Sequence, residues 1–267
     1  MAQYTPAFLI PVYNHGKACI QVVDSLADYC HSTGTKVILV DDGNGQETKD
    51  CLAQIKASHP DFVDLVVCPK NGGKGLAFKA GVIRAKEMGI THVLQIDADG
   101  QHDASRVPFF FEQSKLAPDA MICGYPEYDE TAPKHRLNAH SFANMWCAIV
   151  TWSRGIVDAL CGFRVYPVEA TYDFVTKHRY DARMGFDTEI LIKLIWKNVP
   201  YKFFPVKVTY PTDGISNFHA VRDNIRISWV FTKLCGGMLL RIPLFILRLF
   251  TGSVENPPAN INGPCNG

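Results

Sequence analysis

Five short apolar runs recur through the first half of this chain with helix-length stretches between them, and that alternation leaves few folds open. The runs 7–12, 36–40, 63–68, 92–96 and 120–123 are rich in Val, Ile and Leu and too short for buried helices, so they read as strands, most of them covered on both faces. Helical spacing of apolar residues covers 17–29, 47–57, 75–88 and 105–116, the last opening on Ser105 as N-cap. Strand and helix in strict alternation form βαβ units, which build a mostly parallel central sheet flanked by helices, an α/β fold. At 267 residues and 47% apolar composition, the chain can hold one large domain of this kind plus an appended segment.

The alternation stops near Tyr125. A polar loop through Glu130 and Pro133 leads to a helix over 135–153 and then to Cys161-Gly162-Phe163-Arg164-Val165-Tyr166, while a helix over 186–197 and a strand over 201–210 complete the sheet. This divides a domain over 1–218 into a nucleotide-binding half, 1–124, and an acceptor half, 125–218. Residues 222–250 are the most apolar stretch, yet charges, Gly236-Gly237 and Pro243 interrupt them. On one continuous helix Arg222, Arg226, Lys233, Arg241 and Arg248 would share an arc of about 100°, with Trp229, Phe231, Leu234, Leu239, Leu240, Leu244 and Phe245 around it. A membrane span needs roughly 20 residues nearly free of charge. The stretch 219–252 therefore reads as amphipathic helices lying in a membrane interface, or else as a pair of core helices with a solvated basic edge. The tail 253–267, rich in Pro, Asn and Gly, reads as disordered.

A formal net charge of +1 with no Lys/Arg run gives no reason to expect nucleic acid. Nine cysteines without a Cys-x-x-Cys pair argue against zinc or a disulfide framework and for a reducing compartment. The first strand follows Met1 closely with no basic region before it, so no cleaved signal is expected and the location reads as cytoplasmic.

Four loops fall where the C-terminal ends of the first four strands should converge, the rim on which open α/β sheets bind ligands. They are Pro11-Val12-Tyr13-Asn14, Val40-Asp41-Asp42-Gly43-Asn44, Pro69-Lys70-Asn71-Gly72-Gly73-Lys74-Gly75 and Asp97-Ala98-Asp99. Asp97 and Asp99, two apart on extended backbone, can share one hard cation. The tripeptide alone means little: with 18 Asp in the chain, about one such pair arises by chance. The set is more telling, since together it supplies what a nucleoside diphosphate needs. Tyr13 can stack on a base, Asp41 or Asp42 can accept from base or ribose, Lys74 and neighbouring backbone N–H groups can meet the pyrophosphate, and Asp97 and Asp99 can hold the bridging metal. Neither a Walker loop nor a Gly-x-Gly-x-x-Gly fingerprint is present, and Pro108 stands where an EF-hand requires its last glutamate.

In this order the motifs Pro-x-Tyr-Asn, Val-Asp-Asp-Gly, Asn-x-Gly-Lys-Gly-x-Ala (here with one extra glycine), Asp-Ala-Asp-Gly-Gln-His and Cys-Gly-Phe-Arg resemble those of family-2 glycosyltransferases with a GT-A fold, over roughly residues 6–230. The branch they are most similar to is the dolichyl- and polyprenyl-phosphate mannose or glucose synthases. The resemblance implies an inverting transferase using a nucleotide-sugar donor and Mg²⁺ or Mn²⁺. Pro11, Tyr13, Asn14, Asp41, Asp42, Asn71, Lys74, Asp97, Ala98 and Asp99 would lie around the donor; Asp97, Asp99 and Gln101 would meet the metal; Arg164 would meet an acceptor phosphate or the leaving pyrophosphate. A hydroxyl acceptor needs a base, for which Asp187 is the candidate, whereas a phosphate acceptor needs cations, with Arg136 and Arg164 available. The phosphate-acceptor branch often carries Gly-Ser-Arg where this chain has Gly124-Tyr125-Pro126, and both acceptor classes stay open. The segment 213–219 resembles a loop that closes over donor and metal, with His219 a possible ligand. The implied setting is the inner face of the cell membrane, with a lipid-linked or amphipathic acceptor on an anionic surface. A transferase on a soluble glycan or metabolite, and a catalytically silent nucleotide-sugar-binding scaffold, are the alternatives.

Overall fold

The computed structural model describes residues 3–127, 134–153, 155–208 and 220–251. The first half runs β1 (Pro6–Val12), α1 (Gly16–Thr33), β2 (Lys36–Asp41), α2 (Gln46–Ser58), β3 (Val63–Val67), α3 (Lys74–Glu87) and β4 (His92–Gln95). A short 3-10 turn, Ala104–Arg106, leads into α4 (Val107–Leu116) and β5 (Met121–Glu127). There follow α5 (Lys134–Thr151), β6 (Arg164–Pro167), α6 (Val168–Lys177), α7 (Phe186–Trp196), β7 (Tyr201–Lys207), α8 (Ala220–Leu239) and α9 (Ile242–Thr251). The segment 213–219 and the tail 253–267 lie outside the described residues, as do the side chains of Arg136, Arg222 and Arg248.

The seven strands form one sheet in the order β3-β2-β1-β4-β6-β5-β7. All neighbours are parallel except β6, which runs antiparallel to both β4 and β5. Period-two alternation explains the two cores. Ala7 and Leu9 of β1 join Phe78, Tyr166 and Phe186 on one face, and Phe8, Ile10 and Val12 join Leu26, Phe110 and Phe163 on the other. Strand order reverses at β1, which has β2 on one side and β4 on the other. The loops after these three strands therefore open on one rim.

Three expectations are corrected. Helix α6 was not foreseen: it follows β6 without a turn, its N-cap is Pro167, and Val168, Thr171, Val175 and Thr176 are poor helix formers. Ser105 is not the cap of α4: it lies in the 3-10 turn that Asp103 caps, with Asp103 Oδ1 accepting from Ser105 N–H at 2.9 Å, and the N-cap position of α4 is Arg106. The C-terminal stretch is two helices with a break ahead of Pro243, so no single cationic arc spans it. Val230, Phe231, Leu234 and Phe245 pack into the core, whereas Trp229, Leu240, Leu244 and Phe250 face outward. No described helix is long and apolar enough to cross a membrane. All eight described cysteines are free.

Helix α8 is tied to the domain by charge as well as packing. Arg226 Nε donates to Asp181 Oδ1 at 2.6 Å. The other oxygen of this buried carboxylate accepts from Arg183 N–H and Gly185 N–H at 3.1 and 3.0 Å, organising the turn that starts α7. Replacing Arg226 by Met should lower stability by about 2 kcal/mol and raise hydrogen exchange in α8 and in residues 181–187 together; exchange confined to α8 would show that Arg226 does not support that turn.

Candidate active site

Polar residues are rare in the central strands, and Gln95 is one of them, at the last position of β4. Two residues on, Asp97 lies beyond the strand end, and Lys74 opens α3 above the same rim. Lys74 Nζ sits 2.7 Å from Asp97 Oδ1 and 2.8 Å from Asp187 Oδ2, bridging the two carboxylates. Gln95, fully buried, donates from Nε2 to Asp187 Oδ1 at 2.9 Å. His102 Nε2 lies 3.8 Å from Asp97 Oδ2, and its buried Nδ1 has no partner among the described residues. Burial alone would push the Lys74 ammonium toward neutrality, but the charges of Asp187 and Asp97 outweigh it and raise its pKa. Burial likewise opposes ionisation of Asp97, yet Lys74 and His102 hold its carboxyl well below the usual range.

Gly162 closes over this cluster. A Cβ there would lie 2.8 Å from Lys74 Nζ, 2.9 Å from Asp97 Oδ2 and 3.0 Å from Gln95 Nε2. The glycine of the Cys-Gly-Phe-Arg run thus has a steric reason. Gly162→Ala should cost about 1–3 kcal/mol and, by displacing Lys74, lower turnover more than donor affinity, as steady-state kinetics beside a melting curve would show.

The glycine loop before α3 is held by a carboxylate from β2's end. Asp42 Oδ1 accepts from Gly72 N–H at 2.8 Å, and Oδ2 from Gly73 N–H and Asn71 Nδ2, each at 2.9 Å. Burial raises the Asp42 pKa, and these N–H groups oppose the shift. Gly75 N–H donates to Ala182 O at 2.8 Å. Gly73 adopts φ +91°, and a Cβ would meet Ala182 O at 2.5 Å, so only glycine fits. Asn71 Oδ1 in turn accepts from Arg183 Nη1 at 2.9 Å. Three of the backbone N–H groups expected to meet a pyrophosphate are thus spent inside the protein, and Lys74 is engaged by carboxylates.

Asp41 is buried, and its Oδ1 takes both Asn44 N–H and Asn44 Nδ2, at 2.8 and 2.7 Å. Asn44 also bonds Val12 O and Asn14 N–H, each at 2.8 Å, so Asp41, Asn44 and Asn14 form a brace between the loops after β1 and β2. Asp42 is buried as well, its carboxylate turned to the glycine loop. Tyr13 is the exposed aromatic at the rim, 38% accessible. Pro11 lies within β1 and Ala98 is buried between the two acids. Gln101 gives its N–H to Asp99 Oδ1 at 3.1 Å.

Arg164 stands apart from its expected place. Its side chain is fully buried in β6, with Nη1 donating to Asp187 O at 2.6 Å and Nη2 to Ala159 O at 2.9 Å. It positions the start of α7 from beneath and presents no surface to a phosphate. Sequence reasoning gave no role to Gln95, His102, Gly162, Asp181 and Arg183. Gln95 had a usable signal, a lone amide in an apolar strand two residues before Asp97; Arg183 and Asp181 had none.

No group of three or more His, Cys, Asp or Glu among the described residues is arranged to hold a metal. The two acids still suit one. Asp99 has its pKa raised by burial and then by the Asp97 carboxylate beside it, an excess of negative charge that Lys74 offsets only on the Asp97 side. One or two carboxylates completed by phosphate oxygens and water is how Mg²⁺-type ions are commonly bound.

Comparison with known proteins matches this architecture. The sequence matches the family model Glycosyl transferase family 2 over residues 7–193. A dolichyl-phosphate beta-glucosyltransferase, ALG5C, from Trichomonas vaginalis is 26% identical over 69% of this chain and 58% of its own length. The dolichyl-phosphate beta-glucosyltransferase of Mus musculus is 27% identical over 68% and 60%. An undecaprenyl-phosphate 4-deoxy-4-formamido-L-arabinose transferase from Pseudomonas fluorescens is 24% identical over 59% and 49%. The chain thus spans well under two thirds of the length of these relatives. Among solved structures, glucosyl-3-phosphoglycerate synthase from Mycobacterium tuberculosis, crystallised with Mn²⁺, uridine diphosphate and glucosyl-3-phosphoglycerate, superposes with a TM-score of 0.65 at 14% identity, covering 89% of this chain and 80% of that one. This likeness shows a shared GT-A-like fold. Because the family match runs from β1 into α7 and takes in every strand-end loop just described, the chain belongs to glycosyl transferase family 2.

Proposed function

We propose that this chain transfers a sugar, with inversion, from a nucleoside diphosphate sugar to the phosphate of a membrane-borne polyprenyl lipid. The observation that carries the reading is the pair Asp97 and Asp99 at the end of β4, beside the strand where sheet order reverses, with Lys74 and Asp187 locked against it. The polyprenyl-phosphate transferases among the relatives support the acceptor class, and the Mn²⁺ and UDP complexes of the fold neighbour support the donor class. Exposed apolar side chains on α8 and α9 support attachment to a membrane surface, and the free cysteines fit its cytoplasmic side.

In this reaction an acceptor oxygen attacks the anomeric carbon as the bond to the diphosphate breaks on the opposite face. A divalent cation, held by Asp97 and Asp99 when bound, offsets charge on the departing diphosphate. Tyr13 and Asp42 bound the nucleoside side of the rim. Lys74 bridges Asp97 and Asp187 and holds Asp97 ionised, and Arg164 and Gln95 fix Asp187 from below. A phosphate acceptor is already an anion, so Asp187 serves as Lys74's anchor and not as a base.

The test is transfer from UDP-, GDP- and TDP-sugars to detergent-solubilised polyprenyl phosphate, with the lipid-linked sugar read by mass spectrometry. Asp187→Asn should cut the rate only about threefold to tenfold without adding a pH dependence, well short of the roughly 10²–10⁴ of a lost general base. Transfer to free hydroxyl acceptors alone, with a pH profile abolished by Asp187→Asn, would replace this reading with the soluble-acceptor one.

A further inference from the structure

Among the described residues, a cleft lies away from the strand ends. It is a hollow of about 480 Å³ where α6, α7 and the α8–α9 junction meet, lined by Arg179, Lys193, Lys197, Lys233 and Arg241 with Glu189 as its single carboxylate. Glu189 contributes little free negative charge, since its oxygens accept from Lys193 Nζ at 2.5 Å and Asp181 N–H at 2.6 Å. Lys197 is paired outside the hollow with Asp173 at 2.6 Å. Arg179 and Lys233 make no ion pair among the described residues and are exposed. Arg241 sits over the Trp196 ring, its Cζ 4.4 Å from the centroid, with Nη1 donating to Gly237 O. The floor is therefore an aromatic ring carrying a preset guanidinium, and the walls hold uncompensated cations.

We infer that this hollow takes the phosphate headgroup of an anionic phospholipid, making it a membrane-anchoring site separate from the transfer site. Charge complementarity selects an anion, and the neighbouring surface selects one attached to acyl chains. Trp229, Lys233 and Gly237 recur at the four-residue spacing of one face of α8, Trp229 exposed, and Arg241 follows in the break after that helix, bonded back to Gly237 O. Around the α8–α9 break Leu240 is 83% accessible, and Leu239 and Leu244 are also exposed. A free phosphate would make no use of that apolar rim, whereas a lipid would place its head in the hollow and its chains beside these leucines.

The inference rests on the membrane-surface part of the proposed function, and the experiment separates the two. Flotation of the full chain is measured with phosphatidylcholine vesicles, with and without phosphatidylglycerol, for the wild type, for Arg179→Glu/Lys233→Glu, and for Lys49→Glu/Lys115→Glu, which changes net charge equally at exposed positions elsewhere. The wild type should bind the anionic vesicles, the cleft variant at least about tenfold more weakly, since each basic residue at the surface contributes roughly 1 kcal/mol, and the control variant nearly as well as the wild type. Melting temperature should rise with a soluble short-chain phosphatidylglycerol and stay put with millimolar inorganic phosphate. Equal losses in both variants, or a thermal shift from inorganic phosphate as large as that from the lipid, would overturn the cleft assignment and leave membrane binding standing. No flotation of the wild type with either vesicle would overturn both.

Discussion

Replacing Asp99 with alanine should abolish divalent-cation-dependent binding of nucleoside diphosphate, with turnover falling by at least about 10³-fold, because a cation clamp on a departing phosphate supplies several kcal/mol. The fold should survive. Asp99 Oδ1 accepts from the Gln101 N–H, across a turn that Gly100 forms at φ +74°. Its carboxylate is held at a cost, with its pKa raised by burial and by Asp97, so the metal-free variant should be as stable as the wild type or slightly more so. The ionised acid is therefore retained for a ligand rather than for folding. Titration calorimetry with UDP in Mn²⁺ and in EDTA checks this: Mn²⁺ should tighten binding for the wild type and not for the variant. Equal Mn²⁺ dependence in both would remove Asp99 from the metal site and shift the burden to Asp97 and His102.

How far the sequence revealed this depends on how local each cause is. Strands β1, β2 and β4 were legible because burial on both faces writes them as continuous apolar runs, and their C-terminal loops followed from parallel topology. The acid pair at 97 and 99 was legible for the same reason, being a strand-end feature. Lys74 was legible as a site residue but not in its partnership, since Asp97 and Asp187 meet it only after β4 and α7 are packed around α3. Arg164 misled because, although β6 pairs it with Gln95 at the rim end of β4, its guanidinium turns inward onto Asp187 O and Ala159 O and is fully buried. Nothing local in an arginine announces that its guanidinium will be sealed under a helix. The C-terminal helices show a further limit: Pro243 marks the break, yet which apolar residues turn inward depends on contacts with Trp146, Trp152 and Trp196 that lie far away in sequence.

Lys74→Met should be the single change most damaging to stability, and it should lower turnover as well. The methionine keeps the length of the stem and removes the charge that separates two carboxylates, each under a third accessible. Breaking such a pair from one side leaves uncompensated charge, at about 3 kcal/mol for a site this sheltered. The pH dependence then reverses. In the wild type Asp97 ionises below its ordinary range, so its contribution to stability is intact above the unfolded value of about 3.9 and is lost only as pH falls further. In the variant Asp97 loses the ammonium while burial and the neighbouring Asp99 carboxylate still oppose its ionisation, so its pKa moves upward and a proton on it becomes favourable. A carboxyl with a raised folded pKa stabilises at low pH and loses that stability as pH rises through it. The gap in melting temperature between wild type and Lys74→Met, measured in EDTA, should therefore narrow from pH 7 toward pH 5. Turnover should fall by at least about 10²-fold, because carboxylates meant to hold a cation would instead hold a proton and lie out of position. A constant gap across that range would mean that Asp97 stays ionised when Lys74 is lost, and that the ammonium does not set its protonation.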